Sequence, residues 1–451
     1  MKKQQKIILL KSTLIIFLSF LLTSIGHLAW MYRLMTMTTA KTSDLLTVVA
    51  GYLLQAFGIG VFAAVQHRKE IAERSLYVAA VIGYAVFLIP AVIGTSLAGV
   101  VVFGFLLSLC CGTIAGYYLL YLTKAEEKHR AVSFGVGYGL TTVAAWLLSM
   151  LRHEKLYYGG QVILIGISLA LLCILSVYIK AEENTDKNEG NQTNIKNAAL
   201  KKQLLLSVGI IFLMSLVNNI GFSFSTPELQ NGMRLEFSRL FYAVGLIAAG
   251  FATDKSRKSG AACALAALII PFIVLALRGE TFSSVMFWAL GYFAFGFTSV
   301  YRIILFSDTA KRYDLLYLAG FGLLTGRIGD AAGSAISFAL AGSEVLRVII
   351  SAALFAVTVL LFFRLYQLLY IPEAKRHRSE REVFDDFSVK HDLSSREREV
   401  LRLMLEDNTN KEISEVLCIS ENTVKFHMRN LLQKTGCKSR SELRALYHGS
   451  R

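Results

Sequence analysis

Two basic side chains near the end of the chain, Lys425 and Arg429, have a spacing that suits contact with nucleic acid. They lie four residues apart, so on a helix both point from the same face and can reach a major groove while the opposite face packs. Residues 423–444 hold six basic residues and one acidic residue, whereas residues 372–422 hold nine basic and thirteen acidic residues. The local positive charge predicts either a DNA-binding surface or the solvated face of an ordinary helical bundle.

The elements that must position this pair are predicted by helix-capping residues. Ser394 and Glu397 form a Ser-x-x-Glu capping box, in which the serine oxygen accepts a backbone N–H and the glutamate reaches back to the cap. The caps predict four helices: one from Ser395, one from Asn410 to Leu417, one from Ser420 to about Lys434, and one from Ser439, whose Glu442 repeats the capping box. The second and third are joined by a tight turn at residues 418–420, which is typical of a helix-turn-helix.

This stretch resembles the LuxR-type helix-turn-helix family of bacterial regulators. The family pattern reads Leu-Thr-x-Arg-Glu-x-Glu-Val-Leu, then Asn-Lys-Glu-Ile-Ala, then Ile-Ser-x-x-Thr-Val-Lys-x-His. The matching positions are Leu393, Arg396, Glu397, Glu399, Val400 and Leu401; Asn410, Lys411, Glu412 and Ile413; Ile419, Ser420, Thr423, Val424, Lys425 and His427; and, beyond these, Gly436, Lys438, Ser439, Arg440 and Leu443.

The resemblance implies that the helix from about Glu421 to Lys434 enters the major groove of double-stranded promoter DNA. Position by position, it implies base contacts from Lys425, Phe426 and Arg429, and phosphate contacts from Lys411, Thr423, Asn430 and Lys434. Phe426 has a second interpretation, as a packing residue. The family generally binds DNA as a homodimer, and the fourth helix, Ser439 to Tyr447, is the expected pairing surface.

One position departs from the family pattern in a way that affects a turn. Asn408 stands where the family usually has glycine. Asparagine tolerates a positive φ better than most residues. We therefore expect the turn to survive with asparagine at this position.

The preceding 370 residues have the composition of a membrane protein. The chain is 54% hydrophobic with only four prolines, and its apolar runs reach the roughly 20 residues that a bilayer helix needs. We predict twelve spans, at residues 12–31, 45–66, 76–97, 99–122, 131–151 and 158–179, and then 204–225, 237–254, 260–278, 282–306, 314–341 and 345–370. The predicted fold is therefore all-α, a 12-helix transmembrane bundle followed by a four-helix DNA-binding domain.

The lysines and arginines between the spans predict the orientation. If the N-terminus is cytoplasmic, the inside breaks hold twenty of them, and the outside breaks together with the adjoining span ends hold eight, which agrees with the positive-inside rule. An even number of spans then returns the chain to the cytoplasm, where DNA is found. We expect a multi-pass protein of the bacterial cytoplasmic membrane with both termini in the cytoplasm.

Six spans, a polar cytoplasmic loop at residues 181–203 and six more spans resemble the major facilitator superfamily. That family carries a Gly-x-x-x-Asp-Arg/Lys-x-Gly-Arg/Lys signature after its second span, often repeated after its eighth. Here the signature follows the eighth span, from Gly250 through Asp254 to Lys258, without its second glycine. The corresponding first-half loop, Gly60 to Arg68, has no aspartate. The missing acid suggests a fold kept for something other than transport.

Polar side chains inside the predicted spans are candidates for ligand sensing, because ionisable groups in a bilayer are costly. Arg327 and Asp330 lie three residues apart and either pair with each other or line a central cavity. The neighbouring Gly326, Gly329 and Gly333 would let another helix approach closely. The uncharged candidates are His27, Gln55, Asn218 and Asn219, each with the alternative role of a helix-to-helix hydrogen bond. We expect Arg302 and Asp308 to be interfacial.

No sequence pattern indicates an enzyme. The chain has no phosphate-binding glycine loop, no His-x-x-x-His or Cys-x-x-Cys pair and no nucleophile motif. Its six cysteines do not have metal-ligand spacing, and four lie in apolar spans. We expect no cofactor, no metal and no enzymatic activity.

The predicted organisation is a membrane domain at residues 1–370, a charged linker at 371–392 and a LuxR-type domain at 393–451. The leading hypothesis is a membrane-bound one-component transcription regulator that senses a small ligand in the bilayer and binds promoter DNA. One alternative is an active secondary transporter with an appended regulatory DNA-binding domain. Another is a passive DNA anchor that senses nothing.

Overall fold

The computed structural model describes residues 2–68, 73–125, 127–150, 163, 165–171, 198–222, 235–276, 281–370 and 380–449. Helices and the turns between them account for all of these residues, with no strand among them. The chain divides into two compact units, Met1–Tyr366 and Gln367–Arg451, which we call the N-terminal unit and the C-terminal unit.

The N-terminal unit is built from long apolar helices. In the first half these are α1 (Lys2–Met37), α2 (Ala40–Asp44), a π-helical segment (Leu45–Ala50), α3 (Gly51–Arg68), α4 (Glu73–Ile93), α5 (Leu97–Lys124) and α6 (Glu127–Met150). In the second half they are α7 (Ala198–Phe222), α8 (Leu235–Lys255), α9 (Arg257–Ala267), α10 (Ile270–Ala276), α11 (Thr281–Arg312), α12 (Phe321–Ala339) and α13 (Glu344–Tyr370).

The structure supports a membrane domain but not a count of twelve spans. Within the described residues, seven helices are long and apolar enough to cross a membrane. The predicted span 260–278 is broken into α9 and α10, and the predicted span 314–341 begins with a short 3₁₀ turn, Leu316–Leu318, before α12. Most of the predicted span 158–179 lies outside the described residues. The number twelve stays a prediction.

Glycines allow helices of this unit to pack closely. A Cβ atom built on Gly329 of α12 would lie 2.5 Å from the carbonyl oxygen of Phe212, and one built on Gly333 would lie 2.9 Å from that of Leu216. Both carbonyls belong to α7, so the predicted close approach at these two glycines is confirmed. Helix α12 also packs on α3, and α6 packs on α8, which joins the two halves of the unit.

The damaged signature after α8 still forms a charged cluster. The Asp254 carboxylate accepts hydrogen bonds from the backbone N–H groups of Ala131 (3.1 Å) and Val132 (2.7 Å) in α6. Arg257 lies 2.7 Å from Asp254 and 2.7 Å from Asp308, and Arg130 also pairs with Asp308. Two arginines hold the Asp308 carboxylate between helices, and its interfacial position stays a prediction.

From residue 380 to residue 449, the C-terminal unit has five short helices: α14 (Glu380–Lys390), α15 (Ser395–Leu405), α16 (Asn410–Leu417), α17 (Glu421–Thr435) and α18 (Arg440–Gly449). Ser394 caps α15 with the predicted capping box, and Ser420 caps α17 as predicted. The cap of α16 is Thr409 rather than Asn410, since the Thr409 oxygen accepts the Glu412 N–H and Glu412 reaches back.

The turn between α15 and α16 is kept with asparagine at position 408, as predicted, but not through a positive φ at that residue. The left-handed conformation falls on Asp407, with φ of 68°, and not on Asn408. Asn408 instead donates its side-chain amide to the carbonyl oxygen of Leu403 at 3.1 Å. Asparagine can replace the family glycine here because its side-chain amide donates a hydrogen bond to a carbonyl group in the last turn of α15, and because Asp407 takes the positive φ.

Part of the predicted linker belongs to the C-terminal unit. Residues 371–379 lie outside the described residues, but α14 follows within the predicted 371–392 segment. Its Phe387 is 3% exposed and lies in the core with Val400, Ile413 and Leu431. The Phe387 ring is 5.3 Å from that of Tyr447 on α18. The core therefore needs an aromatic residue that precedes the four-helix motif.

Candidate DNA-binding surface and central cavity

Helix α17 separates a buried face from an exposed basic face. Val424, Met428 and Leu431 point into the core, and the residues between them, at helical spacing, point outward. Lys425, Phe426 and Arg429 are exposed. Since 58% of Phe426 remains accessible, the interpretation of this residue as a packing residue is wrong.

The two basic side chains on the exposed face are available to a partner. Lys425 lies 3.0 Å from Glu421, one turn earlier, and both side chains are about half exposed, at 55% and 48%. An exposed pair of this kind contributes at most about 1 kcal/mol, so it is easily exchanged for a phosphate or a base edge. Arg429 has no ion pair or hydrogen bond to any residue that the structure describes.

The beginning of α17 adds polar groups to the same region. Ser420 accepts the backbone N–H of Thr423 at 3.1 Å, and the two hydroxyls lie 2.8 Å apart. A helix N-terminus carries partial positive charge that favours a phosphate. Lys411, on α16, is exposed and Asn430 is partly buried. These positions are compatible with the predicted phosphate contacts.

Lys434 occupies a different environment from the one predicted. Its ammonium donates to the Asp392 carbonyl at 2.7 Å and pairs with Glu397 at 2.8 Å. Burial raises the pKa of Glu397, but the bonds from Lys434 and Ser394 outweigh it, so the pKa lies below the ordinary glutamate value. Lys434 therefore joins the end of α17 to the start of α15.

Two further basic residues of the sequence cluster are also used internally. Arg444 donates to the Met404 carbonyl at 2.8 Å and pairs with Asp407 at 2.5 Å. Arg440 donates to the Asn408 carbonyl, and burial lowers its pKa. Both satisfy carbonyl groups at the end of α15, where a helix leaves acceptors unpaired. The basic surface is consequently smaller than the charge count suggests.

The N-terminal unit contains a cavity of about 280 Å³ between helices of both halves. His27, Gln55 and Arg327, three of the six candidate sensing residues, line it together. The other lining residues are Phe20, Thr23, Ser24, Leu28, Tyr52, Cys111, Ala115, Tyr118, Tyr138, Thr141, Thr142, Ala145, Tyr242, Tyr292 and Leu323. Every lining residue falls in the described part of the chain, and none is acidic.

Arg327 is the charged group of this cavity. Its guanidinium lies 4.0 Å from the ring centroid of Tyr52, a cation–π contact. The Tyr52 ring is also 5.7 Å from the His27 ring. Side chains of α1, α3 and α12 thus meet on one side of the cavity.

Of the two alternatives for Arg327 and Asp330, the mutual ion pair is not found, and only Arg327 lines the cavity. Asp330 is 6% exposed and pairs with Arg302 at 3.2 Å, while Arg302 also lies 3.5 Å from the Ser215 hydroxyl. Arg302 is only 8% exposed, and its interfacial position stays a prediction. The ion pair joins α11 to α12 and so has a structural role outside the cavity lining.

The remaining sensing candidates do not line the cavity. Asn219 accepts a hydrogen bond from the Ser334 hydroxyl at 2.9 Å, which is the alternative role of a helix-to-helix contact. Asn218 is 4% exposed and is buried elsewhere in the unit. Hydropathy could not separate these positions from Gln55, because it does not reveal which face of a helix points inward.

Sequence reasoning missed the aromatic and hydroxyl groups of the cavity. Phe20 stacks on Tyr138 with ring centroids 4.0 Å apart, and Tyr138 meets Tyr242 edge-on at 5.6 Å. The chain contains 29 phenylalanines and 19 tyrosines. These few rings could not be singled out, because aromatic residues are spread along every predicted span.

The two units are similar to different known proteins. Residues 391–446 match the family described as bacterial regulatory proteins, luxR family. The chain is 49% identical over 57 residues to the spore germination protein GerE of Bacillus subtilis (strain 168), covering 13% of this chain and 77% of that protein. It is also 49% identical over 65 residues to the nitrate/nitrite response regulator protein NarP of Escherichia coli (strain K12), covering 14% of this chain and 29% of NarP.

The fold of the remainder is similar to that of a solved transporter. The crystal structure of the nucleoside transporter NupG aligns with a TM-score of 0.50 and 15% identity, covering 81% of this chain and all of NupG. Only the N-terminal unit is long enough to supply that share, and at this identity the likeness concerns the fold alone. Through its C-terminal helix-turn-helix, joined here to a transporter-like membrane domain, the chain belongs to the LuxR family of bacterial regulatory proteins.

Proposed function

We propose that this protein is a membrane-bound one-component transcription regulator of bacteria, with a sensing membrane domain and a cytoplasmic DNA-binding domain. The observation that carries the proposal is the outward face of α17, where Lys425, Phe426 and Arg429 are exposed on a LuxR-family domain. A regulator with this organisation needs no enzymatic activity and no cofactor.

In the proposed DNA complex, α17 lies in the major groove. Lys425 and Arg429 contact base edges, and Phe426 provides apolar contact, for example with a thymine methyl group. Lys411, Thr423 and Asn430 contact phosphates. Lys434 is not among the proposed contacts, because its ammonium is held by Glu397.

The proposal includes pairing and orientation. LuxR-type domains bind DNA as homodimers, and α18, whose Leu446 is 40% exposed, is the proposed pairing helix. The lysine and arginine distribution supports cytoplasmic termini in the bacterial cytoplasmic membrane. The proposed functional divisions are residues 1–370 for sensing, 371–392 for connection and 393–451 for DNA binding.

The cavity around His27, Gln55 and Arg327 is the proposed sensing site. A ligand shifts a conformational equilibrium only if it binds one state more tightly than the other. A cavity lined by helices of both halves suits this role, because any movement between the halves changes its shape. The ligand would thereby alter how two DNA-binding domains are paired or presented.

A genome-wide transcript comparison tests the regulator. Cells with the intact protein are compared with cells that carry Lys425→Ala/Arg429→Ala, and the matched control is Arg402→Ala, an exposed arginine of α15 in a weak pair with Glu406 at 3.8 Å. We expect a small set of genes to change in the double variant and not in the control. Identical transcripts in all strains, under every growth condition tried, would contradict the proposal.

The alternative of an active secondary transporter is favoured by two observations. The Asp254 cluster is intact in the second half, and the unit shares the NupG fold around an internal cavity. This alternative predicts concentrative uptake of a solute into proteoliposomes under an ion gradient. Transport that survives Lys425→Ala/Arg429→Ala, with unchanged transcripts, would favour it over the regulator.

A further inference from the structure

The central cavity contains a positive charge, that of Arg327, which forms no ion pair with an acidic side chain among the described residues. Asp330, the acid nearest in sequence to Arg327, is bonded to Arg302 instead. The Nε atom of Arg327 is buried and has no hydrogen-bond partner among the residues that the structure describes. The contact of its guanidinium with the Tyr52 ring is therefore its principal compensation.

Such an arrangement favours an anion in the cavity. An uncompensated charge within a membrane domain is unfavourable, and a tyrosine ring offsets only part of the lost hydration. A carboxylate or phosphate can instead pair with a guanidinium through two parallel hydrogen bonds. The lining contains no acidic residue that would repel the anion, and His27 lies close to the same tyrosine.

The rest of the lining indicates what the anion is attached to. Phe20 stacks on Tyr138 at 4.0 Å and lies 4.8 Å from Tyr118, and all three aromatic residues line the cavity. Aromatic rings prefer offset-stacked or edge-on aromatic neighbours. The volume of about 280 Å³ is near the lower end of small-molecule pockets, roughly 300 to 1,000 Å³. A ligand of one or two rings is the size that fits.

We propose that the cavity binds a small aromatic organic anion, whose negative group pairs with Arg327 and whose ring lies against Phe20 and Tyr138. This inference rests on the proposed sensing function, since it names the chemical class of the ligand for the same cavity. It excludes amines and other cations as ligands, because Arg327 repels them at short range.

Matched acids and amides test the ligand class on the purified full-length protein in nanodiscs. The probes are benzoate, 4-hydroxybenzoate, phenylacetate, cinnamate and phenyl phosphate; the carboxamide of each carboxylic acid; benzylamine; and acetate and inorganic phosphate without a ring. The measurement is the thermal midpoint, because a ligand that binds only the folded state raises it. We expect at least one aromatic anion to raise the midpoint by several degrees, while its amide, benzylamine and the ringless anions do not.

Variants assign the effect to Arg327. Arg327→Gln should abolish the shift, and Arg327→Lys, which keeps the charge but loses the paired donors, should reduce it. The matched control is Arg364→Gln, an exposed arginine of α13 outside the cavity. If Arg327→Gln does not fold, Arg327→Lys and the comparison of each acid with its amide still test the inference.

The inference is overturned if no aromatic anion raises the midpoint, if an amide or benzylamine raises it as much as the acid, or if the shift persists in Arg327→Gln. Failure of the proposed function has a different signature. Ala145, which is 7% exposed, lines the cavity, and Ala145→Trp fills it. Suppose that an anion binds, but that promoter output changes neither when this anion is added nor in Ala145→Trp. This result would refute the sensing function, although the proposed ligand class would be correct.

Discussion

The two units use the same residue type, arginine, under opposite conditions. In the C-terminal unit Arg429 stands in water without an ion pair within the described residues, at little energetic cost. In the N-terminal unit Arg302 is buried and held by Asp330, while Arg327 has a tyrosine ring and a cavity. A charge inside a membrane domain requires compensation, whereas an exposed charge requires none. The proposal that the cavity binds an anion therefore depends on one buried side chain, Arg327, whereas the proposal of DNA binding depends on no single exposed lysine.

The buried ion pair should give the largest effect. Replacing Asp330 with Asn leaves Arg302 buried without its carboxylate, and we expect the free energy of unfolding to fall by about 3 to 5 kcal/mol. The measurement is thermal unfolding of the full chain in detergent. The double variant Arg302→Met/Asp330→Leu should recover most of the loss, because an apolar pair removes the unpaired charge.

The control for this comparison is Asp314→Asn, an exposed position whose φ of 53° asparagine also tolerates. A loss of stability in the control as large as that in Asp330→Asn would mean that aspartates of this unit matter for a reason other than burial.

The exposed basic pair should affect binding and not stability. Lys425→Ala and Arg429→Ala should each weaken binding to the target promoter by about 1 to 3 kcal/mol and relax the sequence preference at one position. Fluorescence anisotropy with the full chain in nanodiscs measures both quantities. Equal losses on target and random DNA would refute base reading and leave only phosphate contact.

Lys434 sharpens the comparison within the C-terminal unit, because it is basic but internally paired. Lys434→Met should lower the stability of this unit by about 1 kcal/mol, a figure reduced because the lysine is partly exposed. Hydrogen exchange of α15 and α17 in the full chain measures the change. Unaltered exchange together with a flatter salt dependence of DNA binding would show that Lys434 contacts phosphate after all.

The smallest effect concerns pH and the carboxylate that Lys434 holds. The pKa of Glu397 is lower in the folded protein than in the unfolded chain. Its stabilising contribution is therefore complete above the unfolded value of about 4.3 and is lost as the pH falls through the lower folded value. Glu397→Gln should remove this dependence, as measured by hydrogen exchange of α15 between about pH 5 and 3. If stability depends on pH equally in the intact protein and in Glu397→Gln, the pH dependence arises from other carboxylates.

In the C-terminal unit, the helix starts could be predicted from local signals, but the partners of the basic side chains could not, because these partners are distant in sequence. The boxes and caps at Ser394 and Ser420 act over three or four residues, so the beginnings of α15 and α17 could be predicted. The partner of Lys434 is 37 residues away and the carbonyl held by Arg444 is 40 residues away. Spacing along a helix carries no information about such pairs, which is why the basic surface was overestimated.

In the N-terminal unit, the cost of burying charge identified Arg327 but not its surroundings. His27 and Gln55 also proved to line the cavity, whereas Asn218 and Asn219 did not. The pairing of Asp330 with Arg302 depends on how α11 and α12 are rotated against each other, and hydropathy does not report rotation. The tyrosines of the cavity were missed for the same reason.

The place of Phe387 in the C-terminal core has a practical consequence for chimeric sensors. A fusion cut at Leu393, where the family pattern begins, would discard a side chain that is 3% exposed and packs against Tyr447. Loss of a buried phenylalanine costs about 3 to 5 kcal/mol, a large part of the 5 to 15 kcal/mol that typically holds a domain folded. Grafting this DNA-binding module onto another receptor therefore requires a junction before Glu380, so that α14 travels with it.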